Sequence, residues 1–206
     1  IIVATGHFGS SACGYYSLKN FLMLDEKIDI EQEEIGRRQS SELSKMTERL
    51  LRKNNLSWTE LDYIALTNGP GYFTGIRVGA SYASGLAYAC GVKIIPVSSL
   101  ELLAYGSREK VLVLVYAGHG FVYAECKNFL EAGEYSHAEI LSWLKANPDA
   151  KIISDDIERI SLNELDIIQV KPSLKSLCEL ACEKINLAVN PAELKVLYYR
   201  APQGVN

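Results

Sequence analysis

The residues with the clearest chemical potential form a glycine loop followed by a helix, in the segment 68–80 (Asn-Gly-Pro-Gly-Tyr-Phe-Thr-Gly-Ile-Arg-Val-Gly-Ala). Glycines adopt backbone angles that other residues avoid, and the proline between the first two glycines stiffens the chain. Thr74 suits the N-cap of the following helix. A helix N-terminus beside such a loop is a site for anions. The candidate anion site therefore comprises Asn68, Gly69, Pro70, Gly71 and Thr74. The Gly-Lys-Ser/Thr ending of a Walker A loop is missing.

Arg77 lies in the first turn of this helix, where its charge opposes the helix dipole by about 0.3–1 kcal/mol. A carboxylate, a nucleotide phosphate or an acidic group of a partner would compensate it. Small residues recur every four positions along one side of the helix, next to a stripe of larger residues. The small residues are Gly75, Gly79, Ala83 and Ala87, and the larger ones are Val78, Tyr82 and Leu86. The pattern predicts either a docking face for a partner helix or tight packing on the chain's own sheet, with Arg77 paired to a local glutamate.

The other reactive residue types give little support to metal or disulfide chemistry. His7, His119 and His137 do not share helical spacing. The five cysteines are odd in number, scattered and without a Cys-x-x-Cys pair, which favours free thiols. Cys178 and Cys182 lie four residues apart, so they either share a metal or pack in the interior. We expect no bound metal.

Charge and hydropathy limit the classes of partner. The 206 residues carry a net charge of -4 with a pI near 5.5, whereas proteins that grip nucleic acid alone usually present a basic surface. If a nucleic acid is a partner, another subunit supplies most phosphate contacts. No apolar run reaches the length of about 18 residues that a membrane helix needs, and no signal peptide is evident. These features predict a cytoplasmic location.

The elements around the glycine loop follow from hydrophobic periodicity and capping signals. Strands are predicted at 1–4, 12–18 and 21–30, with a tight turn at Lys19-Asn20, then a helix over 39–53 that Asn54-Asn55 ends. Capping boxes are predicted at 57–60 and at 98–101. The remaining elements of this half are a strand over 63–67, a helix over 74–89 ended by Gly91, a strand over 93–97 and a helix reaching 106.

In the second half of the chain, the same signals predict strands at 111–115, 121–126, 151–154 and 166–170. They also predict a helix over 138–145 and a long last helix that begins at Pro172. An antiparallel meander followed by parallel crossovers indicates an α/β fold. This order is similar to the ribonuclease H-like lobe of the actin, sugar kinase and Hsp70 (ASKHA) superfamily. We therefore expect an actin-like two-lobed fold with a mixed sheet and flanking helices. Residues 1–106 would form the N-terminal lobe, and 107–206 a reduced C-terminal lobe.

The run Gly-Pro-Gly-x-Phe-Thr-Gly-x-Arg-x-Gly resembles the signature of the TsaB (YeaZ) and TsaD families. The segment 96–101 resembles the next strand and helix start of these families, and 197–200 resembles their closing residues. TsaD, the catalytic relative, is longer and carries a His-x-x-x-His metal motif on its early helix. The corresponding helix here begins near Gln39 and lacks that histidine pair, so the chain resembles TsaB.

The resemblance implies a non-catalytic scaffold that activates TsaD in forming N6-threonylcarbamoyladenosine (t6A) in tRNA. Its expected partners are a TsaD-like catalytic subunit and a TsaE-like ATPase, with tRNA contacted indirectly and no membrane. TsaB relatives dock through the early helix and the glycine-loop helix. The expected partner interface is Gln39, Leu43, Met46, Thr74, Gly75, Arg77, Val78, Gly79, Tyr82 and Leu86. Substituting Gly79→Arg is then expected to abolish association without unfolding the chain.

Members of these families have Asp-Thr-Ser after the first strand. Kinases of the superfamily place an acidic residue of this loop near the phosphates and magnesium. The aligned residues here are Thr5-Gly6-His7, which leaves phosphoryl transfer hard to support. No cofactor is expected for the chain alone. ATP or ADP with Mg²⁺ is expected to bind only at the level of the complex. Two alternative functions are a nucleotide-binding ASKHA-type ATPase and a glycoprotease-like peptidase, although the His-Glu-x-x-His motif of a metallopeptidase is absent. A third alternative is a homodimer.

Overall fold

The first sheet combines an antiparallel meander with two parallel strands. A computed structural model describes residues 2–9, 16–24, 27–34, 39–162 and 164–199, with the side chains of residues up to 43 left undescribed. The sheet has the order β3-β2-β1-β4-β5. Its strands are β1 (Ile2–Gly9), β2 (Tyr16–Leu24), β3 (Lys27–Glu34), β4 (Tyr63–Thr67) and β5 (Lys93–Val97). The predicted meander is confirmed, and β4 and β5 run parallel to β1.

The predicted turn at Lys19-Asn20 is wrong. Both residues lie inside β2, where Lys19 is opposite Gly6 of β1 and Gln32 of β3. A tight hairpin turn favours Asn-Gly or Asp-Gly, because its central residues need positive φ angles. Lys-Asn lacks the glycine, and the strand pairs continuously through it.

Three helices belong to this half of the chain: α1 (Gln39–Lys53), α2 (Phe73–Cys90) and α3 (Ser99–Ala104). Asn54 ends α1 by donating its side-chain amide to the Leu50 carbonyl at 2.9 Å, as its position predicted. The first capping box forms around a short 3₁₀ turn, Trp58–Glu60, with the Ser57 N–H donating to the Glu60 carboxylate at 2.8 Å.

The second predicted capping box, at 98–101, forms only in part. The Ser98 hydroxyl accepts from the Leu100 N–H at 3.2 Å and caps α3. The Glu101 carboxylate instead pairs with Lys184, the residue that follows the last α-helix. A tertiary ion pair replaces the local bond here, and α3 ends at Ala104, before the predicted 106.

The second sheet has the order β10-β9-β6-β7-β8. Its strands are β6 (Val111–Gly118), β7 (Phe121–Cys126), β8 (Leu130–Ser136), β9 (Lys151–Ser154) and β10 (Ile167–Gln169), with helices α4 (His137–Ala146) and α5 (Ile157–Ile160) between them. His119 and Gly120, both at positive φ, form the two-residue turn between β6 and β7. The sequence prediction missed β8, in which Gly133 interrupts the apolar pattern.

The last helix, α6 (Leu174–Glu183), returns to the first sheet, which corrects the assignment of all residues 107–206 to a second lobe. Leu177 and Cys178 of α6 are fully buried against Ala65 and Ile95. Strands β1, β4 and β5 are parallel, and parallel strands need cover on both faces. Helix α2 covers one face and α6 the other. Ser173, rather than Pro172, caps α6, so the proline lies just before the helix.

The segment after α6 also stays on the first sheet. Val189 and Ile94 exchange backbone hydrogen bonds of 2.8 and 2.9 Å, which adds an antiparallel bridge at the edge of β5. The chain then runs to the glycine loop after β4. Among the helices that the structure describes, none is long and apolar enough to cross a membrane.

Candidate functional site

The glycine loop lies between β4 and α2, and backbone hydrogen bonds hold it on two sides. The Asn68 N–H donates to the Val97 carbonyl at 3.0 Å, and the Ser99 N–H donates to the Gly69 carbonyl at 2.8 Å. From the other side, the Leu197 N–H donates to the Asn68 carbonyl at 2.8 Å. The loop is therefore fixed both by the end of β5 and by the C-terminal segment.

The Asn68 side chain reinforces this attachment. It is 7% exposed, and its amide nitrogen donates to the Lys195 carbonyl at 3.0 Å. Its Oδ1 atom is buried and has no hydrogen-bond partner among the residues that the structure describes. Because a buried amide loses its hydration, the bond to Lys195 offsets part of that cost and orients the side chain.

Gly69 is required by the close approach of the C-terminal segment. Its φ is +104°, and a Cβ atom there would lie 2.9 Å from the Leu197 carbonyl oxygen and 3.3 Å from Ile76 Cδ1. A side chain at this position would push the backbone of Leu197 away. The sequence predicted a fixed loop without indicating that the chain's own C-terminal segment covers it.

The start of α2 differs from the prediction by one residue. Tyr72 is the N-cap, since its carbonyl accepts from the Ile76 N–H at 3.1 Å, and the helix begins at Phe73. Thr74 is therefore inside the first turn and is exposed, so its predicted role as N-cap is wrong. The C-terminus matches the prediction, because Gly91 adopts a left-handed conformation at φ 70°.

Arg77 rests on an aromatic ring. Its Cζ atom lies 4.8 Å from the centroid of the Phe73 ring, one helical turn earlier. The Phe73 ring contacts the Tyr198 ring at a centroid distance of 5.3 Å and an interplanar angle of 44°. A cation over an aromatic face is favourable by about 0.5–1 kcal/mol at exposed sites. The ring thus compensates part of the unfavourable position of this charge.

The small-residue stripe of α2 faces the chain's own sheet. Its buried members are Gly75, Gly79, Ala83 and Ala87. Ala83 and Ala87 share a cluster with Ile64, Leu66 and Ile94, against which Leu86 also packs. A Cβ atom on Gly79 would lie 3.4 Å from Leu66 Cδ1. Of the two interpretations of this pattern, tight intramolecular packing is the one observed. The stripe is not free for a partner.

The larger stripe of α2 packs on α1. Met46 is fully buried against Val78 and Tyr82, and the Tyr82 hydroxyl donates to Thr47 Oγ1 at 2.8 Å. Burial raises the pKa of Tyr82, and the bond to Thr47 partly opposes that shift. Met46 was predicted as a partner contact and instead joins two helices of the same chain. Gln39 and Leu43 lie on α1, but their side chains are outside the described part of the structure.

A different face of α2 is exposed. It carries Thr74, Arg77, Ser81 and Gly85. Apart from its chain neighbours and the adjacent backbone of α2, no described atom lies within 4 Å of the position that a Cβ atom would take on Gly85. The sequence pattern could not separate this stripe from the buried one, because both contain small residues at helical spacing.

The aromatic pair Phe73 and Tyr198 was not singled out by sequence reasoning as a functional feature. Phe73 is 38% exposed and Tyr198 is 43% exposed, large fractions for aromatic residues in contact with each other. The available signal was the pair Tyr198-Tyr199 close to the C-terminus. Pairing Tyr198 with a residue of the glycine loop required the tertiary structure.

A cleft of about 910 Å³ is lined by residues of α3, α6 and the second sheet. Glu125 of β7 faces it, and burial together with repulsion by Glu101 raises the pKa of its carboxyl group. Tyr105 donates to Glu183 at 2.8 Å, which raises the pKa of this tyrosine to about 12. The bonds of Glu101 and Tyr105 tie α3 to α6, so these polar groups stabilise the fold.

The histidines and cysteines are dispersed. His7 is in β1, His119 is in the turn after β6, and His137 opens α4. Cys178 is buried in the α6 core, where burial raises its pKa to about 12, so its packing interpretation is confirmed. Within the described residues, no three histidine, cysteine or acidic side chains are grouped to hold a metal. Cys13 lies outside the described residues.

Residues 27–146 match the family model described as TsaD: tRNA N6-adenosine threonylcarbamoyltransferase. Sequence relatives include the tRNA threonylcarbamoyladenosine biosynthesis protein TsaB of Buchnera aphidicola subsp. Acyrthosiphon pisum, 28% identical over 66% of this chain and 62% of that protein. TsaB of Escherichia coli K12 is 36% identical over 38% of this chain and 36% of that protein. The chain spans less than two thirds of the length of the curated relatives it matches.

Two solved structures share the fold over nearly the whole chain. One is a Pseudomonas aeruginosa protein described as similar to peptidase YEAZ, with a TM-score of 0.75 and 21% identity, covering 97% of this chain and 99% of that one. The other is YeaZ from the same organism, with a TM-score of 0.70, 19% identity, and coverage of 96% and 98%. The expected ribonuclease H-like α/β fold with mixed sheets and flanking helices is therefore confirmed.

Proposed function

We propose, on the premise that the chain belongs to the TsaD family and within it to the TsaB/YeaZ group, that it is a non-catalytic subunit of t6A synthesis in tRNA. In this proposal it binds and activates a TsaD-like transferase. A TsaE-like ATPase completes the assembly, and tRNA is contacted through the complex. Nucleotide and Mg²⁺ enter only at the level of that complex.

The observation that carries the proposal is the covering of the glycine loop by the chain itself. Glycines in a phosphate-binding loop let a ligand approach the backbone. Here the Leu197 carbonyl oxygen occupies the space beside Gly69, and the Leu197 N–H bonds to the Asn68 carbonyl. The loop is thus part of a rigid scaffold that fixes the start of α2, which supports docking over phosphate binding.

The exposed stripe of α2 is the proposed docking face. It combines Arg77 with the small residues Ser81 and Gly85, which allow a partner helix to approach closely. Helix α1 and the first sheet support α2 from behind, so the face is presented without rearrangement. Rigid presentation lowers the entropy cost of association.

The test uses Gly85→Arg rather than Gly79→Arg, because Gly79 is buried. Because Gly85 is exposed and its Cβ position is open, the arginine leaves the fold intact and improves helix propensity by about 0.5–1 kcal/mol. The arginine side chain would still prevent a partner helix from approaching this face of α2. The matched control is Ser142→Arg, which adds the same side chain to an exposed position of α4.

Each full-length variant is co-expressed with the TsaD-like subunit of the same organism, in cells depleted of the endogenous chain. Co-purification and the t6A content of tRNA are measured. The wild type and Ser142→Arg should form the complex and restore t6A, whereas Gly85→Arg should lose both. Absence of a complex with the wild type would contradict the proposal. Magnesium-dependent ATP hydrolysis by the isolated chain at the rate of the complex would favour the ATPase alternative.

A further inference from the structure

We infer that the C-terminal segment 195–199 completes the partner surface at the N-terminal end of α2, and that this composite surface binds a carboxylate of the TsaD-like partner flanked by apolar side chains. The surface consists of Phe73 and Arg77 from α2 and Tyr198 from the C-terminal segment. The inference rests on the proposed function, because it names the partner chemistry of the same docking face.

The aromatic part of this surface is assembled by two distant parts of the sequence. The Phe73 and Tyr198 rings contact each other at 5.3 Å while remaining 38% and 43% exposed. Exposed aromatic residues provide a large apolar contact area with few rotatable bonds, and they are enriched at protein interfaces. Neither element presents this surface without the other.

The charge of the surface comes from Arg77. Its guanidinium lies over the Phe73 ring, and no carboxylate in the described residues forms an ion pair with it. A guanidinium stacked on a ring still presents N–H donors at its edge, in a geometry that matches a carboxylate with two parallel hydrogen bonds. The neighbouring rings would exclude water from such a pair, which is the arrangement found around residues that dominate binding.

The C-terminal segment is held in place before any partner binds. Lys195 and Leu197 bond to Asn68 through the contacts described above. Tyr199 contacts Tyr123 of the second sheet at a ring-centroid distance of 6.0 Å. Tyr198 therefore lies between two anchored residues. A side chain fixed in this way loses little freedom on binding, which favours affinity.

The test measures the dissociation constant between the purified full chain and the TsaD-like subunit by biolayer interferometry. Tyr198→Ala and Arg77→Glu should each weaken binding by about tenfold or more, with Arg77→Lys in between because it keeps the charge but loses the planar fork. Phe129→Ala is the matched control. Phe129 is 57% exposed and carries Lys110 over its ring at 4.4 Å, but it lies beyond β7 on the second sheet.

Thermal unfolding of each variant separates lost contacts from lost structure, and Arg77→Glu should unfold like the wild type because Arg77 is exposed. If the wild type does not bind the TsaD-like subunit, the proposed function fails. If the wild type binds, but Tyr198→Ala and Arg77→Glu bind as tightly as Phe129→Ala, the inference alone is wrong. Loss of self-association with unchanged partner affinity, measured by sedimentation, would assign the surface to a second copy of the chain and overturn the inference.

Discussion

Replacing Gly69 by alanine tests how the C-terminal segment and the glycine loop depend on each other. The new methyl group would lie 2.9 Å from the Leu197 carbonyl oxygen, closer than Cβ atoms normally approach. Two effects follow. The residue must hold a φ of +104°, which glycine adopts without strain, and the backbone at Leu197 must move away.

The magnitude can be estimated from these contacts. An alanine held at positive φ costs about 1–2 kcal/mol. Displacing a packed backbone costs about 1–3 kcal/mol. The hydrogen bond from the Leu197 N–H to the Asn68 carbonyl contributes about 0.5–1.5 kcal/mol and would weaken with the shift. Gly69→Ala should therefore destabilise the chain by about 3–6 kcal/mol, or roughly 6–24 °C in melting temperature for a protein of this size.

Gly106→Ala is the matched control, because Gly106 has a φ of +81° but, apart from its two chain neighbours, no described atom within 4 Å of its Cβ position. It should cost only the backbone strain, about 1–2 kcal/mol. Urea unfolding followed by circular dichroism gives both free energies. Equal destabilisation by the two variants would refute the reasoning, since the contact with Leu197 would then not be what requires glycine at position 69.

Two further predictions concern buried positions. Gly79→Ala should be neutral or stabilising by up to about 1 kcal/mol, because its Cβ meets Leu66 at an ordinary distance and alanine favours the helix, whereas Gly79→Arg should cost about 3 kcal/mol or more in urea unfolding. Burial raises the pKa of Asp155 to about 6 from 3.8, with Asp156 adding repulsion. The folded state then holds this proton more tightly than the unfolded chain, so the free energy of unfolding should fall as pH rises from about 4 to about 6. Asp155→Asn should remove this loss of stability, which reaches up to about 3 kcal/mol at pH 7. An unchanged pH profile in Asp155→Asn would contradict the assignment.

Features that depend on neighbouring residues were predictable from the sequence. Gly91 ends α2 because an open left-handed position suits glycine, and Ser57 with Glu60 forms its capping box within four residues. The family signature at 69–79 likewise identified the fold, since it is a contiguous run that can be read without three-dimensional information.

Features that depend on tertiary contacts between distant elements were not predictable from the sequence. Both faces of α2 contain small residues at a spacing of four, so periodicity alone could not tell the buried Gly79 from the exposed Gly85. Glu101 satisfied the local capping pattern, yet a lysine distant in sequence provided a stronger partner for its carboxylate. The return of α6 to the first sheet follows from the need to cover both faces of parallel strands, and the order of elements along the chain does not reveal it.

The sequence by itself determined the α/β class, the rigid glycine loop and the presence of a charge at Arg77 that needs compensation. Only the tertiary structure decided that Phe73 lies beneath that charge, that Tyr198 lies beside Phe73, and that Leu197 fills the space above Gly69. The physical reason is that turn, cap and helix preferences act over a few residues, whereas these contacts join positions that become neighbours only when the C-terminal segment packs onto the first sheet.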